Sequence, residues 1–372
     1  MSRNKRRIVV DIFDTWLSRT NGSPISFMFL CSLDDLDDVE DHRRTEYMVK
    51  TLLSQQHRWK DVKFASFNVK CSDEFPGLDM TNMPILTLLS LHVEFPVRAA
   101  INRGSPRALK ASIRLVISIY QSLGSRFQIS LDVLKNAPFL TKFDVDFSSN
   151  LALSNRHDHH PRFLLLSLRA LKLEYREAPA AIVDNLTLPP LEAFYYASSV
   201  KEGILFNFFR RSRSPLTFLA LCDSCAGEDE ILGILRLLPC LKALRYSNSI
   251  VSKRFFRELA VGIEEIEENA LSLERPICPK LDILCLHNLL PIDSVSGCVG
   301  SLVTMTRSRA RIQKSFENIR LELDSTNFVE INISDIEKYT EALEQCFEDK
   351  KGHLIVGDYE SAFRNSFPPN SD

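Results

Sequence analysis

A short apolar phrase recurs along this chain and sets the expectation for its fold. The phrase is Leu-x-x-Leu-x-Leu, with other apolar residues allowed at each of the three fixed positions. It starts at Trp59, Leu86, Leu140, Leu168, Leu191, Leu216, Leu241, Leu281 and Phe316. Five of the eight intervals between successive starts are 23 to 28 residues long, and leucine-rich repeats have roughly 20–29 residues. Each phrase predicts a short strand whose fixed positions point into a core.

The residues between phrases predict helices that would cover the same core. Glu228–Leu238 carries four apolar residues on one helical face and stops at Pro239. Helical spacing also predicts helices over 254–269 and 294–309, inside the intervals of 40 and 35 residues. This alternation predicts an α/β fold: a leucine-rich-repeat-like solenoid of short parallel strands and outer helices, with irregular repeats.

One interval between phrases is 54 residues long, which is twice 27. We expect a degenerate unit inside it, with Pro106 and Leu109 where a start is expected and with Ile113, Leu115 and Ile117 following. A strand over 127–131 is an alternative for the same place.

The first 56 residues predict an entry segment to the repeats. Five apolar residues form one helical face, and they are Ile8, Ile12, Phe13, Trp16 and Leu17. The turn signal Asn21-Gly22-Ser23-Pro24 precedes a strand at 25–30, and a second helix is expected over 44–53. The predicted divisions are an entry segment (1–56), a solenoid with a C-terminal covering helix (57–349) and a polar, partly disordered tail (350–372).

The amino-acid composition limits the classes of protein to which this chain can belong, but it does not identify a binding partner. Hydrophobic residues make up 45% of the chain and charged residues 25%, as in ordinary globular proteins. The net charge of −2 argues against nucleic acid as a partner. No apolar run reaches the ~18 residues of a membrane span, so no membrane partner is expected. Nine cysteines without regular spacing indicate a reducing compartment, which predicts a cytoplasmic and/or nuclear protein.

No constellation typical of catalysis is visible in the sequence, and we expect neither enzymatic activity nor a cofactor. Phosphate loops, nucleophile elbows, kinase signatures and zinc-protease motifs are all missing from it. Three groups have donors at metal-ligand spacing, namely Cys222 with Cys225, Cys278 with Cys285 and His287, and His157–His160. Ordinary thiols and a solvated loop explain them more simply, so we predict no metal site.

The residues between the fixed positions of the phrase would lie on the other side of the strands, the concave side of a solenoid. That side carries charges of both signs and two aromatic residues, and aromatic and arginine side chains dominate the energetics of interfaces. We therefore predict a protein-binding surface made of Lys142, Asp144, Arg169, Lys172, Tyr195, Phe218, Lys242 and Arg245. A plain hydrated sheet face is the alternative.

Two arginine clusters also stand out. The first, Arg210, Arg211 and Arg213, forms a basic helix end that could meet an acidic partner. The second contains Arg307, Arg309 and Arg311, and we expect it to oppose the negative end of a helix dipole.

Longer sequence phrases accompany the repeats. The most specific is His57–Phe64, which reads His-Arg-Trp-Lys-Asp-Val-Lys-Phe. The others are Thr15–Arg19, Ser214–Leu216, Leu237–Pro239 and Cys278–Leu281. In their order and spacing, over roughly residues 8–325, the chain resembles the fungal F-box proteins with degenerate leucine-rich repeats, as in mushroom-forming fungi. The resemblance implies a recognition protein whose solenoid captures a protein substrate for the ubiquitin ligase pathway.

The F-box of that family is not visible in this sequence. In the family, an apolar helix of Leu-Pro-x-Glu type docks the adaptor subunit of a cullin-RING ligase, whereas this sequence begins where the following region would. An F-box encoded upstream of Met1 and an F-box-free relative are both compatible with the resemblance. We expect a protein substrate of unknown identity in either case, and the ligase adaptor only in the first. The alternative function is a scaffold or interaction protein unrelated to ubiquitin.

Overall fold

The computed structural model describes a set of separate stretches of the 372-residue chain. They are residues 3–32, 39–67, 88–93, 112–117, 140–147, 162–175, 180–197, 202–222, 227–247, 250–260, 276–287, 290–291 and 295–312, with the single positions 134, 341 and 345. The chain divides into two compact units, residues 1–190 and 191–372, each with strands and helices of its own.

The first unit contains a six-stranded parallel sheet. Its elements in chain order are α1 (Arg3–Arg19), β1 (Ile25–Ser32), α2 (Val39–Ser54), a 3-10 turn (Gln56–Arg58), β2 (Trp59–Phe67), β3 (Leu88–Val93), β4 (Ser112–Ile117), β5 (Lys142–Phe147), β6 (Phe163–Leu164), β7 (Ala170–Tyr175), α3 (Ala180–Asn185) and β8 (Leu186–Thr187). The sheet order is β1-β2-β3-β4-β5-β7, and every neighbouring pair is parallel. The short strands β6 and β8 pair with each other.

Strand β4 occupies the long interval between phrases. It pairs with β3 on one side and β5 on the other, with Ile113 opposite Leu89 and Phe143. A strand that contains Ile113, Leu115 and Ile117 is therefore confirmed in this interval. In this register the first fixed position of the phrase corresponds to Lys110, so the apolar phrase is incomplete there. The competing stretch, 127–131, lies outside the described residues.

Helix α1 buries a narrower face than the sequence predicts. Phe13 and Leu17, one helical turn apart, are half-buried. Ile12 and Trp16 form the adjacent stripe and remain 61% and 37% exposed. The Tyr47 hydroxyl of α2 donates to the Asp14 carboxylate of α1 at 3.1 Å. This hydrogen bond links the two helices. The predicted single apolar face was therefore too wide.

The predicted turn after α1 is fastened to the start of β2 by Arg58. Asn21 and its neighbour Gly22 have φ of 36° and 80°, the left-handed region that Asn and Gly tolerate best. The buried Arg58 guanidinium donates to the Ser23 carbonyl at 3.0 Å and to the Thr20 hydroxyl. The sequence phrase around Arg58 thus has a structural role, which is to fix the entry turn against the sheet.

The second unit alternates strands and helices regularly. Its elements are β9 (Ala193–Ala197), α4 (Ile204–Ser212), β10 (Phe218–Cys222), α5 (Glu228–Arg236), β11 (Ala243–Ser247), β12 (Ile250–Val251), α6 (Lys253–Leu259), β13 (Ile283–His287), β14 (Leu290–Pro291) and α7 (Val295–Ile312). Strands β9, β10, β11 and β13 form a parallel sheet in chain order. Strands β12 and β14 make a separate short pair.

A shared carbonyl sets the register at the start of three strands in the second unit, β10, β11 and β13. The Glu192 carbonyl accepts hydrogen bonds from the amides of Thr217 and Phe218 at 2.8 and 3.1 Å. The Thr217 carbonyl accepts from Lys242 and its successor, and the Lys242 carbonyl accepts from Asp282 and its successor. Consecutive strands therefore begin at the same level, although 25 residues separate one pair of phrases and 40 another.

The fixed positions of the phrase form the core of the second unit. Twelve of them are at most 1% exposed: Leu191, Phe194, Tyr196, Leu216, Leu219, Leu221, Leu241, Leu244, Tyr246, Leu281, Leu284 and Leu286. Aromatic residues of α4 extend the core, since the Phe208 and Phe209 rings lie 5.3 and 5.4 Å from that of Phe194. The predicted inward orientation of the phrase is confirmed for these four strands.

The predicted helices of the second unit form with changed ends. The helix expected over 228–238 is α5, and the one expected over 294–309 is α7. Helix α6 is shorter than the predicted 254–269, because Ala260 has extended backbone (φ −66°, ψ 147°). Residues 261–275, the phrase at Phe316, the C-terminal covering helix and the tail lie outside the described residues. Among the described helices, none combines the length and the apolar character needed to cross a membrane.

Candidate functional site

Two groups of predicted binding residues lie on the sheet face opposite the buried phrase positions, which we call the strand face. Successive side chains of a strand point to opposite faces, so residues beside the fixed positions share this face. Four of the eight predicted residues belong to the first unit and four to the second. Each group has its own geometry.

In the first unit the strand face is a compact charged cluster. Lys172 on β7 lies opposite Asp144 on β5 in the register of the sheet. Its Nζ is 2.8 Å from Glu174 Oε2 and 4.0 Å from Asp144 Oδ1. Lys142 is half-buried at the start of β5, and Arg169 is exposed just before β7. The structure brings the predicted Asp144 and Lys172 together, and their charges largely compensate each other.

In the second unit two predicted residues are buried where we expected exposed side chains. Tyr195 is 7% exposed and Arg245 is 3% exposed, with Ala220 between them in the register of the sheet. Tyr195 packs in a small cluster with Ala197 and Ala220 that also includes Cys222. Phe218 packs against this cluster. The expected pair of exposed aromatic residues is thus reduced to one, the half-buried Phe218.

The accessible part of the second unit's strand face is an apolar row. Phe218, Ala243 and Ile283 lie side by side on β10, β11 and β13. Ile283 is 36% exposed, which is high for a large apolar side chain on a sheet. The small Ala243 lies between the two larger side chains. We call these three residues the apolar row.

A polar row borders the apolar row on one side. It consists of the residues immediately before the strands, Glu192, Thr217, Lys242 and Asp282. Lys242 is exposed, and the other three are half-buried. The row combines two acids, one base and one hydroxyl. An apolar centre beside a polar margin of mixed charge is the usual anatomy of a protein interface.

Residues of the apolar row were only partly found from the sequence. The aromatic Phe218 is among the binding residues that the sequence predicts, whereas Ala243 and Ile283 are not. All three stand at the same place in their phrases, two residues after the first fixed position. That positional equivalence is the signal that could have found the row.

The cysteines of the second unit do not assemble a metal centre in the described part of the chain. No group of three or more His, Cys, Asp or Glu residues there has metal-binding geometry. The buried Cys278 thiol donates to the carbonyl of Leu235 at 3.3 Å, and burial raises its pKa to about 12. Such a thiol stays protonated and is a poor nucleophile or ligand. Cys225 and His157–His160 lie outside the described residues.

Arg309 has a different role from the predicted one. Instead of opposing the dipole of its own helix, its guanidinium is buried and donates to three carbonyls of other segments. One of these belongs to Leu259 at the end of α6, so the physical preference for a cation at a helix C-terminus is met on a neighbouring helix. Burial lowers the pKa of Arg309 to about 10. The neighbouring Arg307 is exposed.

Comparisons with known proteins do not assign this chain to a family. No protein-family model matches the chain, and a comparison with curated proteins finds no match. Evidence on function therefore comes from the residues on the sheet faces described above.

Proposed function

We propose that this chain is a non-enzymatic protein-recognition module, built as a leucine-rich-repeat-like solenoid with irregular repeats. Three observations support the proposal: strands and helices alternate in the second unit, its strands are parallel and adjacent in chain order, and the fixed positions are buried. A repeated unit that presents one sheet face is suited to binding through that face.

The apolar row carries the functional proposal. A half-exposed Phe218 and a 36% exposed Ile283 flank Ala243, beside charges of both signs. Water contact with this row is unfavourable, and a partner side chain seated over Ala243 would remove it. Aromatic anchors at the centre of an interface contribute most of its binding energy. We therefore place the partner on this row rather than on the charged cluster of the first unit.

Within this function, the F-box-type resemblance supports a substrate-recognition protein of the ubiquitin ligase pathway, which would act in the cytoplasm or nucleus. Five cysteines in the described part of the second unit form no disulfide, in keeping with a reducing compartment. The alternative is an F-box-free scaffold unrelated to ubiquitin. Sequencing the gene upstream of Met1, together with a pull-down using the purified ligase adaptor, separates the two. Adaptor binding supports the ligase function, and an empty pull-down supports the scaffold.

Cross-linking mass spectrometry with a matched pair of variants tests the recognition surface. Phe218→Asp places a charge in the apolar row. Leu164→Asp makes the same change at a residue of the first unit that is 59% exposed. We expect proteins captured by the wild type to be lost with Phe218→Asp and kept with Leu164→Asp, at equal amounts of folded protein. Equal capture by both variants would show that the row is not the binding surface.

A further inference from the structure

A separate groove lies in the second unit where two helices end and the next strands begin. Its walls come from the C-terminal ends of α4 and α5 and the residues that follow them. Four apolar residues line it, and they are Phe209, Pro215, Leu237 and Pro239. The volume is about 380 Å³, within the range of pockets that hold small ligands or a few side chains. The groove shares no residue with the apolar row.

Two arginines give the groove a positive charge that no lining residue balances. Arg210 and Arg213 both line it and are both exposed, and none of the lining residues is acidic. Neither side chain has an ion-pair partner among the residues that the structure describes. The Arg210 guanidinium lies 5.9 Å from the centre of the Phe206 ring, a weak cation–π contact at an exposed site. Both guanidiniums remain available to an anion.

The backbone around Arg213 is fixed. Its φ is 46°, in the left-handed region, and its amide donates to the Phe209 carbonyl at 2.9 Å. This bond closes the C-terminus of α4, and Pro215 restricts the chain two residues later. The two arginines are therefore presented by an ordered helix end.

A buried hydroxyl supplies a second, independent sign of a ligand. Ser214 lines the groove and is 6% exposed, and its Oγ has no hydrogen-bond partner within the described stretches of the chain. A buried polar group without a partner costs about 1–3 kcal/mol, so such groups are rare unless something satisfies them. Rotation of the Ser214 side chain toward the groove would let Oγ donate a hydrogen bond to an oxygen of a ligand bound between the two arginines.

The geometry points to a binding site for a short acidic segment of a partner protein. A carboxylate of that segment binds Arg210 and Arg213 and accepts a hydrogen bond from Ser214. A neighbouring apolar side chain of the same segment packs on the ring of Phe209 and on the prolines. The inference goes beyond the proposed recognition function, because it concerns a different surface and a defined chemistry.

A carboxylate fits this groove better than a phosphate. The desolvation cost of an ion grows with the square of its charge, and a mostly apolar groove offers few interactions that compensate for it. A phosphorylated side chain carries ~1.5–2 negative charges and three strong acceptor oxygens. Two exposed guanidiniums and one hydroxyl supply enough donors for the two oxygens of a single carboxylate. A phosphate would keep more of its acceptor oxygens unsatisfied in this groove.

Fluorescence polarisation with labelled octapeptides tests the site on the full chain. The probes are alternating Leu-Asp, alternating Leu-Lys and alternating Leu-phosphoserine. We expect the wild type to prefer the Leu-Asp peptide, with weaker binding at 500 mM than at 50 mM NaCl. The double variant Arg210→Glu/Arg213→Glu should lose at least tenfold in affinity for Leu-Asp and gain affinity for Leu-Lys. Ser214→Ala should lose about three- to tenfold.

Two control variants distinguish this site from general attraction to basic residues and from binding at the apolar row. Arg257→Glu reverses an exposed arginine on α6 and should change the affinity by less than twofold. Phe218→Asp should leave peptide binding intact, so that failure here and failure of the apolar row are distinguishable. The inference is overturned if the wild type binds no Leu-Asp peptide at 1 mM, or prefers the phosphorylated or basic peptide. It is also overturned if the folded double variant keeps its affinity for Leu-Asp.

Discussion

Replacing Arg309 with methionine removes a guanidinium that joins three parts of the second unit. Its Nε donates to the Leu259 carbonyl at 2.7 Å, Nη2 to Ile277 at 2.8 Å and Nη1 to Cys278 at 3.0 Å. Leu259 precedes residues 261–275 in the chain and Ile277 follows them. One buried side chain therefore fastens both ends of the stretch that makes this interval between phrases 40 residues long.

The size of the effect follows from the three carbonyls. Each buried acceptor that loses its donor costs about 1–3 kcal/mol. Part of this loss is recovered, because burying the guanidinium is itself unfavourable, as its lowered pKa indicates. Methionine also restores some apolar packing along the former side chain. We expect Arg309→Met to lower the free energy of unfolding of this region by about 2–4 kcal/mol.

Hydrogen exchange measures this loss where it occurs. Amide protection in peptides covering 253–260 and 276–287 should fall by about 30-fold or more, since 1.4 kcal/mol corresponds to a factor of ten. Tryptophan fluorescence does not report on the second unit, because both tryptophans, Trp16 and Trp59, belong to the first. It therefore serves as an internal reference within the same molecule.

Two further variants show whether the bonding geometry or the charge matters. Arg309→Lys keeps the charge, but a single ammonium lacks the planar fork that serves three carbonyls, so most of the loss should remain. Arg307→Met changes an exposed arginine of the same helix and should have almost no effect. Unchanged protection in Arg309→Met, or an equal loss in Arg307→Met, would refute this role of the buried guanidinium.

Three other changes test separate contacts. Arg58→Ala removes the bonds to Ser23 and Thr20, and the urea midpoint seen by tryptophan fluorescence should fall by the equivalent of about 2 kcal/mol; an unchanged midpoint contradicts the fastened turn. The folded pKa of Cys278 is raised from 9.0 to about 12, so its stabilising effect is lost as pH rises above 9, by about 1.4 kcal/mol per unit. In Cys278→Ala, urea denaturation curves followed by far-UV circular dichroism between pH 8 and 10 should show that much less decline than the wild type. Glu228 accepts from the Ser252 amide and hydroxyl at 2.6 and 2.8 Å, so Glu228→Gln should cost about 1 kcal/mol in denaturation followed by circular dichroism. Asp229→Asn, at a side chain that is 81% exposed, should cost less than about 0.5 kcal/mol, and equal losses would contradict the difference in burial.

The strands of this chain could be predicted because each depends on a local apolar pattern. The phrase at Leu216 places three side chains in the core, and the same holds at Leu241 and Leu281. Strand β4 shows where such a pattern fails. Its first fixed position is Lys110, so the phrase is broken there, although the neighbouring strands determine its register.

The candidate surface was harder to predict, because exposure depends on neighbours that are distant in sequence. Tyr195 and Arg245 have the composition of an interface, yet both are buried beside the small Ala220. Nothing in the sequence marks Ile283 as a surface residue, yet it is among the more exposed apolar residues of the described chain. Alternation identifies the face on which a residue lies. The burial of its side chain depends on contacts with residues that are distant in sequence, which the local pattern does not contain.

Variation in the interval between phrases leaves the sheet of the second unit regular, because successive strands are aligned where they begin. The Thr217 and Lys242 carbonyls each accept from two amides at the start of the next strand, so the levels of β11 and β13 are set at that point. In the 40-residue interval, residues 261–275 lie after β11 in the chain, and the buried Arg309 donates to Leu259 before them and to Ile277 after them. The groove at Arg210 and Arg213 is built on helix ends, which the alignment of the strands does not constrain. Surfaces at the helix ends can therefore differ from one interval to the next while the strands stay in register.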